Sequence, residues 1–149
     1  MRFESQPQSD VRGVLRWEVA RWERRSRYPD GFVGTVAATG SRYSAAGFSE
    51  TALGWTNGYV FFSGGNLAGP LTNSVTMLPG RKLTDNGGMV TNFTYSLKRS
   101  TGLFRGGFRH PATGRRASYS GALIQKEGLG AGFFIGVDQG GLFRLEAAP

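Results

Sequence analysis

The stretch Met89-Val90-Thr91-Asn92-Phe93-Thr94-Tyr95-Ser96-Leu97-Lys98 decides the fold class. Met89, Thr91, Phe93, Tyr95 and Leu97 alternate with Val90, Asn92, Thr94, Ser96 and Lys98, the period-two pattern of a strand with one face on a core. The face carrying Phe93, Tyr95 and Leu97 is the one expected inside. Immediately upstream, Asp85-Asn86-Gly87-Gly88 reads as a turn, because Asn and Gly tolerate the backbone conformations that turns need.

Downstream, the same grammar continues as a meander. Strands are expected over Leu103–Arg109, Ala117–Gln125, Gly132–Val137 and Leu142–Glu146. The turns between them are His110–Gly114, with His110 exposed, Lys126–Gly130 and Asp138–Gly141. Upstream, Asn73–Leu78 is a short strand stopped by Pro79-Gly80, Gly58–Gly64 a buried strand closed by Gly64-Gly65-Asn66, and Phe32–Ala38 a further strand. Val11–Arg25 admits both a helical and a strand reading. Gly13 and the alternation of Leu15, Trp17 and Val19 with Arg16 and Glu18 favour a strand over Val14–Val19. Pro29-Asp30-Gly31 then forms a turn.

Strands thus recur about every 12 residues with glycine in each connection, the habit of sandwiches and barrels. The expectation is all-β: a single antiparallel β-barrel, a meander of about eight to ten strands with little helix, closed by the N-terminal strand. Residues 1–10 read as a loose lead-in and 11–149 as one domain. Glycine also brackets aromatic strands, as in Gly58-Tyr-Val-Phe-Phe-Ser-Gly64, Gly102-Leu-Phe-Arg-Gly106 and Gly132-Phe-Phe-Ile-Gly136, which places glycine inside a curving sheet as well as in loops.

Composition narrows the function classes. The 149 residues include 24 Gly and 11 Phe, no Cys and one His. No thiolate or multi-histidine metal centre and no cysteine nucleophile can be assembled from them. Ser118 and Ser120 lack a nucleophile elbow. Gly128-Leu-Gly-Ala-Gly132 leads into Phe133-Phe134-Ile135, a strand rather than the helix a phosphate loop requires, so it reads as a hairpin turn. The chain is therefore expected not to be an enzyme, and no cofactor or metal is called for.

Charge is more informative. The net charge is +8, and residues 81–116 hold Arg81, Lys82, Lys98, Arg99, Arg105, Arg109, Arg115 and Arg116 against Asp85 alone, a net +7. Alternation along Leu103–Arg109 puts Phe104 and Phe108 inward and Arg105 and Arg109 outward. The candidate anion-binding residues are Arg99, Arg105, Arg109, Arg115 and Arg116, for a polysaccharide, another acidic polymer, nucleic acid or an acidic protein. The alternative is a small-ligand barrel of the lipocalin or avidin type, its mouth lined by Trp17, Trp55 and Tyr59.

No run approaches the length of a membrane helix, and residues 1–10 lack the basic start and apolar stretch of an export signal. The chain as it stands is expected to be soluble and cytoplasmic, or exported if it is a piece of a longer protein. It is expected to be a monomer, or a weak homodimer joined through an edge strand.

Several phrases occur in a telling order: Gly13-Val-Leu-Arg-Trp17, Arg27-Tyr-Pro-Asp-Gly-Phe32, Gly40-Ser-Arg-Tyr43, Thr101-Gly-Leu-Phe-Arg-Gly-Gly-Phe108, Tyr119-Ser-Gly-Ala-Leu-Ile-Gln-Lys126 and Gly130-Ala-Gly-Phe-Phe-Ile-Gly136. Together they resemble the β-rich module found, often toward the C-terminus, in large multidomain exported bacterial proteins beside immunoglobulin-like domains. The resemblance covers about residues 12–147 and rests on strand-end glycines and aromatics. It implies an all-β unit and brings no catalytic residues.

Overall fold

A computed structural model describes residues 9–24, 28–45, 52–79 and 82–149. The fold is all-β: ten strands, with one 3₁₀ turn at Gln125–Glu127 and no α-helix among the described residues. The chain divides into two compact units, Met1–Arg42 and Tyr43–Pro149, where the sequence reading expected one domain over 11–149.

The first unit is a hairpin. Strands β1 (Val11–Val19) and β2 (Phe32–Gly40) pair antiparallel along their whole length, from Val11 opposite Gly40 to Val19 opposite Phe32. The strand reading of this segment is therefore right. The register puts Val11, Gly13, Leu15, Trp17 and Val19 on one face with Phe32, Gly34, Val36, Ala38 and Gly40. The Pro29-Asp30 turn ends on Gly31 at φ +69°, the left-handed conformation glycine supplies. One expectation is corrected here: the N-terminal strand does not close the barrel. It belongs to a two-stranded sheet of its own, because its apolar alternation is matched by the adjacent β2.

The second unit is an eight-stranded antiparallel sheet, curled into a nearly closed barrel. Its strands are β3 (Asn57–Gly64), β4 (Leu71–Leu78), β5 (Lys82–Gly88), β6 (Thr91–Lys98), β7 (Leu103–Arg109), β8 (Arg116–Ile124), β9 (Leu129–Ile135) and β10 (Gly140–Ala147), in the spatial order β5-β4-β3-β10-β9-β8-β7-β6. The meander runs in two parts, β3–β5 and β6–β10, joined where the last strand pairs with β3. Edge strands β5 and β6 follow each other in sequence and touch at the remaining seam.

The interior is built from rings interleaved with glycines. Across the sheet one inward row reads Leu97, Phe104, Gly121, Gly132, Phe143, Phe62, Leu71, and the next reads Tyr95, Gly106, Tyr119, Phe134, Gly141, Gly64. Phe62 packs against the rings of Phe93, Phe108, Tyr119, Phe134 and Phe143, with centroids 4.3–6.4 Å away. Tyr119 and Phe143 stack at 4.5 Å and 10°. A Cβ at Gly121 would meet the Phe104 ring and the Ala131 carbonyl. Glycine positions such as Gly121, Gly65 and Gly141 are where neighbouring phenyl rings fit.

Two local readings differ from the structure around the seam. Asp85–Gly88 was expected as a turn and is the end of strand β5; the register slips between Ser74 and Val75, so the Asn-Gly-Gly residues form an irregularity in an edge strand. In the decisive stretch, Phe93, Tyr95 and Leu97 do face inward, but Val90 is buried and Met89 exposed, opposite to strict alternation. A bulge explains it. Two residues, Asn92 at φ +53° and Phe93, stand opposite Phe108 between the Thr91–Arg109 and Thr94–Gly107 pairs, which shifts the parity by one. The buried Asn73 amide holds this corner: its Oδ1 accepts from the Val90 N–H at 2.6 Å, and its Nδ2 donates to the Val90 carbonyl at 2.8 Å and to Asp85 at 2.9 Å.

Candidate anion-binding face

Antiparallel pairing fixes where the arginines go. Phe104 and Phe108 are buried and Arg105 and Arg109 are exposed, as the alternation required. Arg109 stands directly opposite Arg116 on β8, and Arg105 opposite Ser120. Arg115 lies at the end of the β7–β8 turn beside them. Arg99 is in the β6–β7 turn at the other end of β7, roughly 20 Å from Arg109 along the strand. Four of the five candidate cations therefore gather on one face or its rim, and Arg99 stands apart. Arg81 lies outside the described residues.

Two like charges directly opposite on neighbouring strands repel. Among the described residues, no carboxylate lies within ion-pair reach of Arg105, Arg109, Arg115 or Arg116, whereas Arg16, Arg21 and Arg144 each have one. Two of the guanidiniums rest instead on neutral oxygens. Arg109 Nε donates to the Gly114 carbonyl at 3.1 Å, and Arg116 Nη2 donates to Thr94 Oγ1 at 2.9 Å. The Arg116 guanidinium crosses β7 over Gly107, where any side chain would displace it. Thr94 Oγ1 also accepts from the Gly107 N–H at 3.0 Å, so the bulged end of β6 and Arg116 share one anchor.

A groove runs over this face between β6 and β9. The register sets Ser96, Arg105, Ser120 and Phe133 in one row and Thr94, Gly107 and Ser118 in the next, and all of these but Gly107, which the Arg116 guanidinium covers, line the groove together with Arg116. Phe133 is 57% exposed, an aromatic on the basic face that the sequence reading did not single out, although its alternation with the buried Phe134 marks it as outward.

His110 is corrected from exposed to buried. Its Nε2 donates to the Gly65 carbonyl at 3.0 Å and its ring lies against Phe108. The carbonyl can only accept, which assigns the proton to Nε2. His110 continues the inward series Phe104, Gly106, Phe108, so the signal was present in the alternation and was outweighed by the turn composition around Pro111.

The residues of the alternative ligand set belong to unlike elements. Trp17 belongs to the first unit. Trp55 is half-buried, with Nε1 donating to the Gly128 carbonyl at 2.6 Å and its ring over Gly58. Tyr59 points outward from β3, and the middle of the barrel is occupied by the ring cluster around Phe62. The Gly128 turn is tighter than expected, since Leu129 already starts β9 and Gly130 and Gly132 lie within it.

Beneath the groove, burial holds the Tyr95 phenol far above the ordinary tyrosine value, with Tyr43 adding to the effect. Burial does the same to Tyr119, Tyr95 adding to it and Arg116 opposing it. Both rings stay protonated in the fold at pH values where an unfolded chain ionises them, from about pH 10. Their contribution to stability is thus full below about pH 10 and declines above it. Urea midpoints measured at about pH 9 and about pH 11 should fall in the wild type and fall less in Tyr119→Phe, whose ring cannot ionise. Equal losses in the two chains would contradict the assignment.

The fold and face define an antiparallel, barrel-like β protein with a basic outer surface. Comparison with protein-family models, curated proteins and solved structures finds no match to this chain. No helix among the described residues is long and apolar enough to cross a membrane.

Proposed function

We propose that this is a non-catalytic binding module that takes an anionic partner on the outer face of β6–β9. The observation that carries the reading is the cluster of Arg105, Arg109, Arg115 and Arg116 without a carboxylate among the described residues, with Arg109 and Arg116 directly opposed. Such a pairing costs stability in the free protein, and an anion laid across it removes the repulsion. Arginine suits the task because its planar fork matches carboxylate, sulfate and phosphate groups.

The small-ligand alternative draws less support, because within the second unit Trp55 is tied to the Gly128 turn, Tyr59 points outward and the barrel centre is filled by rings. The test of the proposed function is binding to heparin as a model polyanion at about 0.15 M salt. Arg105→Ala, Arg109→Ala and Arg115→Ala together should weaken it at least tenfold, about 1.4 kcal/mol, while circular dichroism stays unchanged. Unchanged affinity in the folded triple variant would sink the proposal.

A further inference from the structure

The groove offers more than charge. The side-chain hydroxyls of Ser96, Ser118 and Ser120 line it and make no hydrogen bond within the protein among the described residues. Each can donate once and accept twice. Arg105 is likewise without a side-chain partner, and Arg116 uses one of its five N–H donors on Thr94. The Phe133 ring stands in the Arg105 row, two strands or about 10 Å away, with Ile135 beside it. From Arg116 to Ser120 the groove extends about 14 Å along β8.

A row of free hydroxyls, two forked cations and one exposed ring are complementary to a chain of sugar rings bearing acidic groups. The hydroxyls meet sugar hydroxyls, the guanidiniums meet carboxylate or sulfate, and the electron-rich face of Phe133 meets the C–H face of a pyranose. Single-stranded nucleic acid is served less well. It calls for successive exposed stacking platforms and a cation near each phosphate, and Phe133 is the one exposed ring in the groove, whose lining holds more neutral hydroxyls than cations.

Building on the anionic-partner reading above, we propose that the partner is an acidic polysaccharide. It lies across β6–β9 with one sugar ring on Phe133 and its acidic groups on Arg105 and Arg116.

The test titrates the full chain by calorimetry with a short oligouronate, its methyl-esterified neutral form, a heparin oligosaccharide and oligo-dT of matched charge, at about 0.15 M salt. An acidic oligosaccharide should bind more tightly than oligo-dT, and esterification should weaken it at least tenfold. Phe133→Ala should weaken it about fivefold without loss of fold. Tighter binding of oligo-dT, or indifference to Phe133→Ala, overturns the polysaccharide assignment and leaves the anionic-partner reading standing. Absence of binding to every polyanion overturns both.

Discussion

Phe62→Ala is expected to lower the stability of the chain by about 4 kcal/mol, a large part of the roughly 5–15 kcal/mol that holds a domain of this size. Phe62 is fully buried and touches five other rings, so its removal leaves a cavity that the surrounding sheet cannot collapse to fill. The backbone around it is held by β4 on one side and β10 on the other. Urea unfolding followed by near-ultraviolet circular dichroism should show the lower midpoint, and Phe62→Leu should recover more than half of the loss. A change of less than about 1 kcal/mol in Phe62→Ala would mean that this ring cluster is not the core.

Gly121→Val is expected to destabilise the chain by the converse route, overfilling the interior where Phe62→Ala leaves a void. Gly121 sits between Phe104 on β7 and Gly132 on β9, and a Cβ there meets the Phe104 ring, the Ala131 carbonyl and the Gly132 backbone. Two of these three obstacles are main chain inside the sheet, so relief requires strands to separate. The variant should lose the fold or at least about 3 kcal/mol of stability. Gly69→Ala is the control: that position has open space around it and should shift stability by no more than about 0.5 kcal/mol. Soluble, wild-type-like Gly121→Val would show that the inward glycines do not set the strand packing.

These two positions also show what a sequence of this kind discloses. The alternation of Phe104 with Arg105 and of Phe108 with Arg109 fixed which residues face in and out, and β7 follows it along its whole length. The glycines flanking aromatic residues were readable as lying within the sheet because a glycine there lets the strand bend sharply where a side chain would crowd its neighbours. What alternation alone cannot carry is a change of parity. Asn92 in a left-handed conformation makes Val90 the buried residue in place of Met89, and that depends on pairing with Phe108, sixteen residues further along the chain than Asn92. The same holds for β5, whose Asn86-Gly87-Gly88 has the composition of a turn and becomes strand through the irregular register with β4 and the amide of Asn73.

The basic face was half legible. Arg105 and Arg109 could be placed from β7, but the opposition of Arg109 and Arg116, the anchoring of Arg116 on Thr94 and the arrival of Phe133 in the Arg105 row are products of strand register. Arg99 shows the converse, a residue that belongs to the charge block by sequence and stands at the far end of the hairpin in space. Trp17, Trp55 and Tyr59 looked alike as large amphipathic residues. The fold gives them unrelated surroundings: the hairpin face, the Gly128 turn and the outer surface of β3.

The salt dependence of polyanion binding tests the central claim most directly. A cluster of guanidiniums that displaces counterions from a polyanion gives a logarithmic affinity that falls linearly with the logarithm of salt concentration, each contact contributing a slope of nearly one. Heparin binding by the wild type should fall steeply between about 50 and 200 mM salt, and the variant lacking Arg105, Arg109 and Arg115 should lose about two to three units of that slope. A slope identical in the two folded proteins would show that the anion lies elsewhere and would contradict the account.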